Sequence, residues 1–249
     1  MALSQRLELG LRAHPVWSSV GLALLAAAVT VGGSALLALL VPSLPGYSTS
    51  GVSQSLLLVV VLTVLLLVLL AALRWWQFAG FTRVSTWRDL RLYWLPVVLL
   101  VVPLLGGVRW PGWAALTVML VGYACTGVFE EGLYRGVILG LLRTIGTWPA
   151  VLLSSLLFGF AHLVNLGLRG MSVLVGLQVL GAASQGVGLA ALRLRTNTLW
   201  PLIVFHALND LGLQLGTWPV AAVAAPLDIA MLVYGVYLLR RRSPGRDAR

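Results

Sequence analysis

Two adjacent acids, Glu130 and Glu131, stand one helical turn before Arg135 in a stretch that otherwise reads as lipid-soluble helix. A single charged side chain at the centre of a membrane helix costs about 2.5–3.5 kcal/mol or more. Three so close together require partners, a water-filled cavity or a chemical task. Helical spacing puts Glu131 and Arg135 on one face, where they can pair, and turns Glu130 about 100° away. This predicts divided labour. Arg135 orients or neutralises Glu131, and Glu130 stays free as a general base or acid, a role open to a carboxyl in low-dielectric surroundings. An ion pair that only fixed helix packing would need one acid, not two.

Two further apolar stretches each carry a histidine. Phe158 and His162 share one helical face with Asn165 close by, and His206 and Asp210 share another, with Asn209 between them. Each imidazole thus has an acid or amide within a turn. Glu130, His162, His206 and Asp210 together suit a divalent metal such as zinc, which brings a bound water toward a pKa of about 7 and polarises a carbonyl. The same residues also serve a metal-free route, in which Glu130 activates water and the histidines donate to a developing oxyanion. Spacing alone is compatible with both. There is no HExxH helix and no GxSxG elbow, and Cys125 and Ser184 lack an evident adjacent base, so a serine or cysteine nucleophile has no support.

These residues are embedded in a chain of 249 residues, 59% hydrophobic and 10% charged, with a mean hydropathy of +0.97. A soluble domain carries about 25% charged residues. The expected fold is all-α and polytopic, a single integral membrane domain over 1–249 with cytoplasmic tails at 1–15 and 240–249. Apolar runs bounded by Arg, Pro and Gly give eight candidate spans, at 16–41, 54–73, 93–107, 113–142, 149–166, 171–192, 198–215 and 220–239. Most approach the roughly 20 residues that cross a hydrocarbon core of about 30 Å. The third is short and interrupted by Pro96 and Pro103. The first exceeds a signal-peptide core of about 7–15 residues and reads as a retained span. Counting 1.5 Å per residue from each predicted cytoplasmic end, Glu130, His162 and Asp210 fall about 18–20 Å deep and His206 about 12 Å, so the four can meet.

The formal net charge of +10 comes from arginine, for the chain has no lysine. In the eight-span arrangement one side receives fourteen arginines: Arg6, Arg12, Arg74, Arg83, Arg88, Arg91, Arg143, Arg193, Arg195, Arg240, Arg241, Arg242, Arg246 and Arg249. The other receives only Arg109 and Arg169, and Arg135 lies within a helix. Positive charge favours the cytoplasmic side, so both termini are predicted there. This distribution suits anionic head groups and the bilayer rather than nucleic acid. Between Arg74 and Arg91, Trp75, Trp76, Phe78, Phe81 and Trp87 suggest an amphipathic stretch at the inner interface or a loop with aromatic anchors. The single Cys125 permits no intrachain disulfide.

Three ordered motifs, EExxxR at Glu130, Glu131 and Arg135, FxxxH at Phe158 and His162, and HxxxN/D at His206 and Asp210, make the chain resemble the CPBP family of intramembrane proteases. This family, also called ABI or CAAX-protease-like, includes the eukaryotic CAAX prenyl endopeptidase. The resemblance covers about 113–215. It implies an eight-helix fold whose site opens toward the cytoplasm. It also implies that Glu130 activates water, that His162, His206 and Asp210 complete the polar site, and that Glu131 and Arg135 support it. Many relatives carry Asn where this chain has Asp210, so a potential negative charge replaces a neutral amide. The implied activity is hydrolysis of a membrane-tethered or lipidated peptide. An arginine-only basic set in a chain rich in Ala, Leu and Val suggests a GC-rich bacterial genome, hence a bacterial plasma membrane. Prokaryotic relatives are associated with bacteriocin self-immunity and with processing of membrane-bound regulators. The competing reading is a non-catalytic scaffold or immunity protein that binds a membrane peptide. A proton-coupled transporter is disfavoured by the absence of internal repeats.

Overall fold

A computed structural model describes residues 3–46, 48, 51–84, 86–169 and 173–241. Arg242, Arg246 and Arg249, with most of the predicted C-terminal tail, lie outside the described residues. The helices are α1 (Leu3–Ala13), α2 (Pro15–Leu40), α3 (Gln54–Leu73), α4 (Trp76–Ala79), α5 (Trp87–Leu90), α6 (Trp94–Leu99) and α7 (Trp113–Glu130). A π-helical segment, Glu131–Ile138, carries α7 directly into α8 (Leu139–Leu142). Then follow α9 (Thr147–Ala161), α10 (Val164–Arg169), α11 (Val173–Thr196), α12 (Trp200–Leu215) and α13 (Val220–Arg240). The protein is an all-α polytopic membrane protein.

Six of the eight expected spans are long and apolar enough to cross a bilayer: α2, α3, the continuous helix Trp113–Ile145, the helix Thr147–Leu166, α11 and α13. The other two are shorter. The region around Pro96 and Pro103 breaks into α6 flanked by tight turns at Arg91–Tyr93 and Val102–Leu104, because proline supplies no N–H to a helical ladder. From Arg74 to Arg91, where the sequence suited either an amphipathic stretch or an aromatic-anchored loop, the helical structure ahead of Arg91 is limited to the single turns α4 and α5 among the described residues. Before the first span, α1 folds as a separate helix, and Arg12 lies 5.4 Å and 4.7 Å from the rings of Trp75 and Phe78.

Side chains such as Trp17, Leu39, Val68 and Ile229 are exposed, as lipid-facing residues must be. Helices in lipid gain little from burying more hydrocarbon against one another, so they associate by close backbone approach and shape. At the α11–α13 contact a Cβ on Gly188 would lie 2.6 Å from the Met231 carbonyl oxygen. Between α7 and α12 a Cβ on Gly127 would lie 2.9 Å from the Ile203 carbonyl oxygen. The second contact matters most, for Gly127 is one turn before Glu130 and Ile203 one turn before His206.

α12 is clasped at both ends. At its start Leu199 N–H donates to Gly80 at 2.8 Å, Thr198 donates to the Thr82 carbonyl at 2.8 Å, and Thr82 donates to the Asn197 carbonyl at 2.7 Å. At its end Arg109 N–H donates to Leu215 at 2.8 Å, and the Arg109 guanidinium donates to Gly216 at 2.7 Å. Among the described residues the only extended pairing is the isolated bridge Val108–Gly216 in this second clasp. A helix too short to reach both interfaces is thereby held at fixed height, and it carries His206 and Asp210.

Candidate active site within the helix bundle

Glu131 is fully buried, and its Oε1 accepts from Arg135 Nη1 at 3.2 Å, the pairing expected from their spacing. The same oxygen lies 2.8 Å from His206 Nδ1 on α12. A carboxylate only accepts, so His206 Nδ1 carries the hydrogen and Nε2 is left to face the cavity. There it meets Glu130 Oε2 at 3.3 Å and Asp210 Oδ2 at 3.7 Å. One imidazole therefore lies between the two sequence neighbours, with the buried acid behind it and the more accessible acid in front.

The π-helical segment begins at Glu131, immediately after Glu130. Such wider turns occur mostly as short insertions, often at functional sites. Here the segment keeps Glu131 and Arg135 within bonding distance, and Ser154 on α9 donates to the Tyr134 carbonyl at 3.0 Å. The Arg135 guanidinium lies 4.0 Å from the centroid of the Phe158 ring, a cation–π contact in a dry setting. Its Nε and Nη2, and Glu131 Oε2, have no hydrogen-bond partner among the described residues. Phe158 also meets Tyr134, His162 and His206 edge-on, with centroids 5.2, 5.0 and 6.2 Å away. It is the apolar hub on which the polar groups are mounted.

His162 sits where α9 ends. Its N–H bonds to Gly159 rather than one residue further back, which leaves the Phe158 carbonyl without its α-helical donor. The ring fills that gap, Nδ1 donating to Phe158 O at 3.0 Å. In the neutral ring, Nε2 then carries a lone pair.

Glu130, His162, His206 and Asp210 line one cavity of about 390 Å³. The side chain of Glu130 is 23% exposed and that of Asp210 31%, against 0% for Glu131. Asn165 also lines the cavity, hydrogen-bonded to Gln178 at 2.9 Å. Asn209 is buried on α12 but is not among the lining residues. Tyr134, Gln178 and Gln185 line the cavity as well, although the motif reading passed over them. Tyr134 lies four residues after Glu130, and the two glutamines are carboxamides inside an apolar span. Those were the available signals.

Among the described residues no group of three or more His, Cys, Asp and Glu is arranged to hold a metal ion. Both ring nitrogens of His206 already face carboxylates, and Nδ1 of His162 is taken by a carbonyl. As placed, the four candidate ligands do not form a coordination set.

In this polytopic helical membrane protein, acids and imidazoles from distant parts of the chain thus converge on one internal cavity. Residues 111–212 match the family model described as type II CAAX prenyl endopeptidase Rce1-like. This segment, which contains all three motifs, is similar to the CPBP or CAAX-protease-like family of intramembrane proteases. No curated protein and no solved structure matches the chain.

Proposed function

We propose that the protein is an endopeptidase that hydrolyses a peptide bond of a membrane-tethered or lipidated peptide inside its helix bundle, with Glu130 as general base. The observation that carries this reading is the 3.3 Å approach of Glu130 Oε2 to His206 Nε2 at the wall of a cavity that His162 and Asp210 also line. Glu130 accepts a proton from a water whose oxygen attacks the scissile carbonyl carbon. His162 Nε2, its tautomer set by the Phe158 carbonyl, accepts the second water hydrogen as a hydrogen bond and orients the nucleophile. His206 in its protonated form donates Nε2–H to the tetrahedral oxyanion, and Glu131 and Arg135 hold that ring in place. Asp210 reinforces the oxyanion site when protonated. The intermediate collapses as Glu130 returns its proton to the amine nitrogen and the C–N bond breaks, giving one new carboxylic acid and one new amine, and the acid proton then passes to the amine to leave carboxylate and ammonium. This is general base–acid catalysis with a prearranged oxyanion site. The arginine-rich ends of the helices lie at the cytoplasmic face of a bacterial plasma membrane.

The test is comparison of peptide termini in membranes of cells that express wild type or Glu130→Gln at equal abundance. Termini that arise only with wild type support the hydrolase and name its substrate. An unchanged set of termini, with a cellular effect that survives the substitution, replaces it with a non-catalytic scaffold that binds a membrane peptide.

A further inference from the structure

We infer that the α10–α11 wall of the cavity is a binding site for the main chain of the peptide substrate, built from the carboxamides of Asn165, Gln178 and Gln185. The inference rests on the hydrolase reading and extends it to how substrate is held. All three amides line the same cavity as Glu130 and His206. Gln185 is half-buried, and its carboxamide has no partner among the described residues. Asn165 Nδ2 donates to Gln178 Oε1 at 2.9 Å, which leaves the Asn165 oxygen and the Gln178 amino group to face a ligand.

A protease in a bilayer meets a particular difficulty. Peptide cleavage needs an unwound strand, and in hydrocarbon each N–H or C=O released from a helix lacks water and costs several kcal/mol unless another group accepts it. A carboxamide offers both a donor and an acceptor and carries no charge. Gln178 and Gln185 are seven residues apart on α11, so they share one face and lie about 10.5 Å apart along it. An extended peptide at about 3.3 Å per residue covers that distance in about three residues. Ala182 lies between them on the cavity wall and leaves room for a backbone to approach. The part of the lining from α2 and α3 is mostly apolar, with Ala26, Ala27, Leu58 and Leu62, and its polar groups are the hydroxyls of Thr30, Ser34 and Ser55 rather than carboxamides.

The experiment uses purified full-length protein in detergent and an internally quenched CAAX-type peptide bearing an isoprenyl thioether on its cysteine. A matched set of analogues replaces one amide N–H at a time by an ester oxygen. In Gln185→Leu and Gln178→Leu, KM should rise about three- to tenfold, the weight of one neutral hydrogen bond, with kcat little changed. For Gln185→Leu, whose carboxamide oxygen is the acceptor open to a peptide N–H, one ester position that weakens wild-type binding should cause no further loss. Gln185→Asn should recover part of the loss, and melting temperature should stay within a few degrees throughout. Unmoved KM in both Leu variants with an active wild type overturns the subsite alone, as do losses that add independently at every ester position. A wild type that cleaves neither this peptide nor any membrane protein overturns the hydrolase reading, and the subsite falls with it.

Discussion

Glu131 and His206, 75 residues apart in sequence, are joined by a 2.8 Å hydrogen bond in which the imidazole Nδ1 donates to a fully buried carboxylate. The bond leaves His206 a single nitrogen with which to work, and that nitrogen faces Glu130 and Asp210. The adjacent acids therefore have opposite duties. Glu131 belongs to the scaffold that orients the ring, and Glu130 belongs to the cavity.

Glu130→Gln is expected to lower the hydrolysis rate by about 10²–10⁴, the weight of a positioned general base, while the thermal midpoint in detergent changes little. The side chain is partly exposed to the cavity and its close contact is with His206, so the substitution removes a base without opening the core. A quenched-peptide assay beside a melting curve measures both quantities. Full activity in the variant would remove Glu130 from the mechanism.

Glu131→Leu and Arg135→Leu should each destabilise the protein by about 3–5 kcal/mol, because each leaves an uncompensated buried charge. The double substitution should cost less than the sum of the two. Unfolding of the four proteins in one detergent gives the coupling. Strict additivity would mean that the 3.2 Å pair contributes no coupling to the fold.

Asp210→Asn should retain hydrolysis within about tenfold, since an amide supplies the oxyanion with the donor that a protonated carboxyl supplies, whereas Asp210→Leu should lose about 10²–10³. A carboxyl donates only while protonated, so its contribution fades as pH rises through its own titration. An amide does not titrate. The Asn variant should therefore hold its rate further into the alkaline range than wild type does. A pH–rate profile that is identical in the two proteins would show that Asp210 is not the donor.

Gly127→Val should abolish activity in protein that still reaches the membrane. A Cβ there would lie 2.9 Å from the Ile203 carbonyl oxygen, so α7 and α12 must separate and draw Glu130 and Glu131 away from His206. Gly127→Ala should give an intermediate loss. Normal kcat in the Val variant would show that the helix contact does not set the site.

Chelators are expected to leave the rate unchanged, because both His206 nitrogens are engaged with carboxylates and the four candidate ligands do not form a coordination set. Loss of activity with 1,10-phenanthroline and recovery with zinc would instead place a metal among Glu130, His162, His206 and Asp210.

Much of this architecture was legible from residue type and period. Runs of about 20 apolar residues have few stable conformations in a bilayer, since every backbone group must be bonded within the segment, so helix follows from composition. Spacing by four brought out Glu131 with Arg135, Phe158 with His162, and His206 with Asp210, because one helical face repeats at that interval. The segment from Arg74 to Arg91 was less legible. Aromatic and basic residues mixed together suit an interfacial helix or an anchored loop equally well, and packing against the start of α12 chose two single turns. The third span was already marked by Pro96 and Pro103, whereas the seventh read as an ordinary span and is a shorter helix in the structure. Length and hydropathy judge a helix as if it stood alone, whereas α12 is held at its ends by hydrogen bonds from distant loops.

By itself, then, the sequence determined that the protein is a bundle of apolar helices in a membrane, that the acids and imidazoles of the three motifs lie on three of its apolar stretches, and which side chains share a face. Only the tertiary structure decided which nitrogen of His206 meets which acid, that His162 is fixed by a carbonyl freed at a helix end, and that three carboxamides share the cavity with the acids. The division has a physical cause. Helix periodicity is local and can be read one segment at a time, but the rotation and height of one helix against another depend on close contacts such as Gly127 with Ile203 and on clasps such as Thr198 with Thr82. Such contacts join residues far apart along the chain, and no local pattern encodes them.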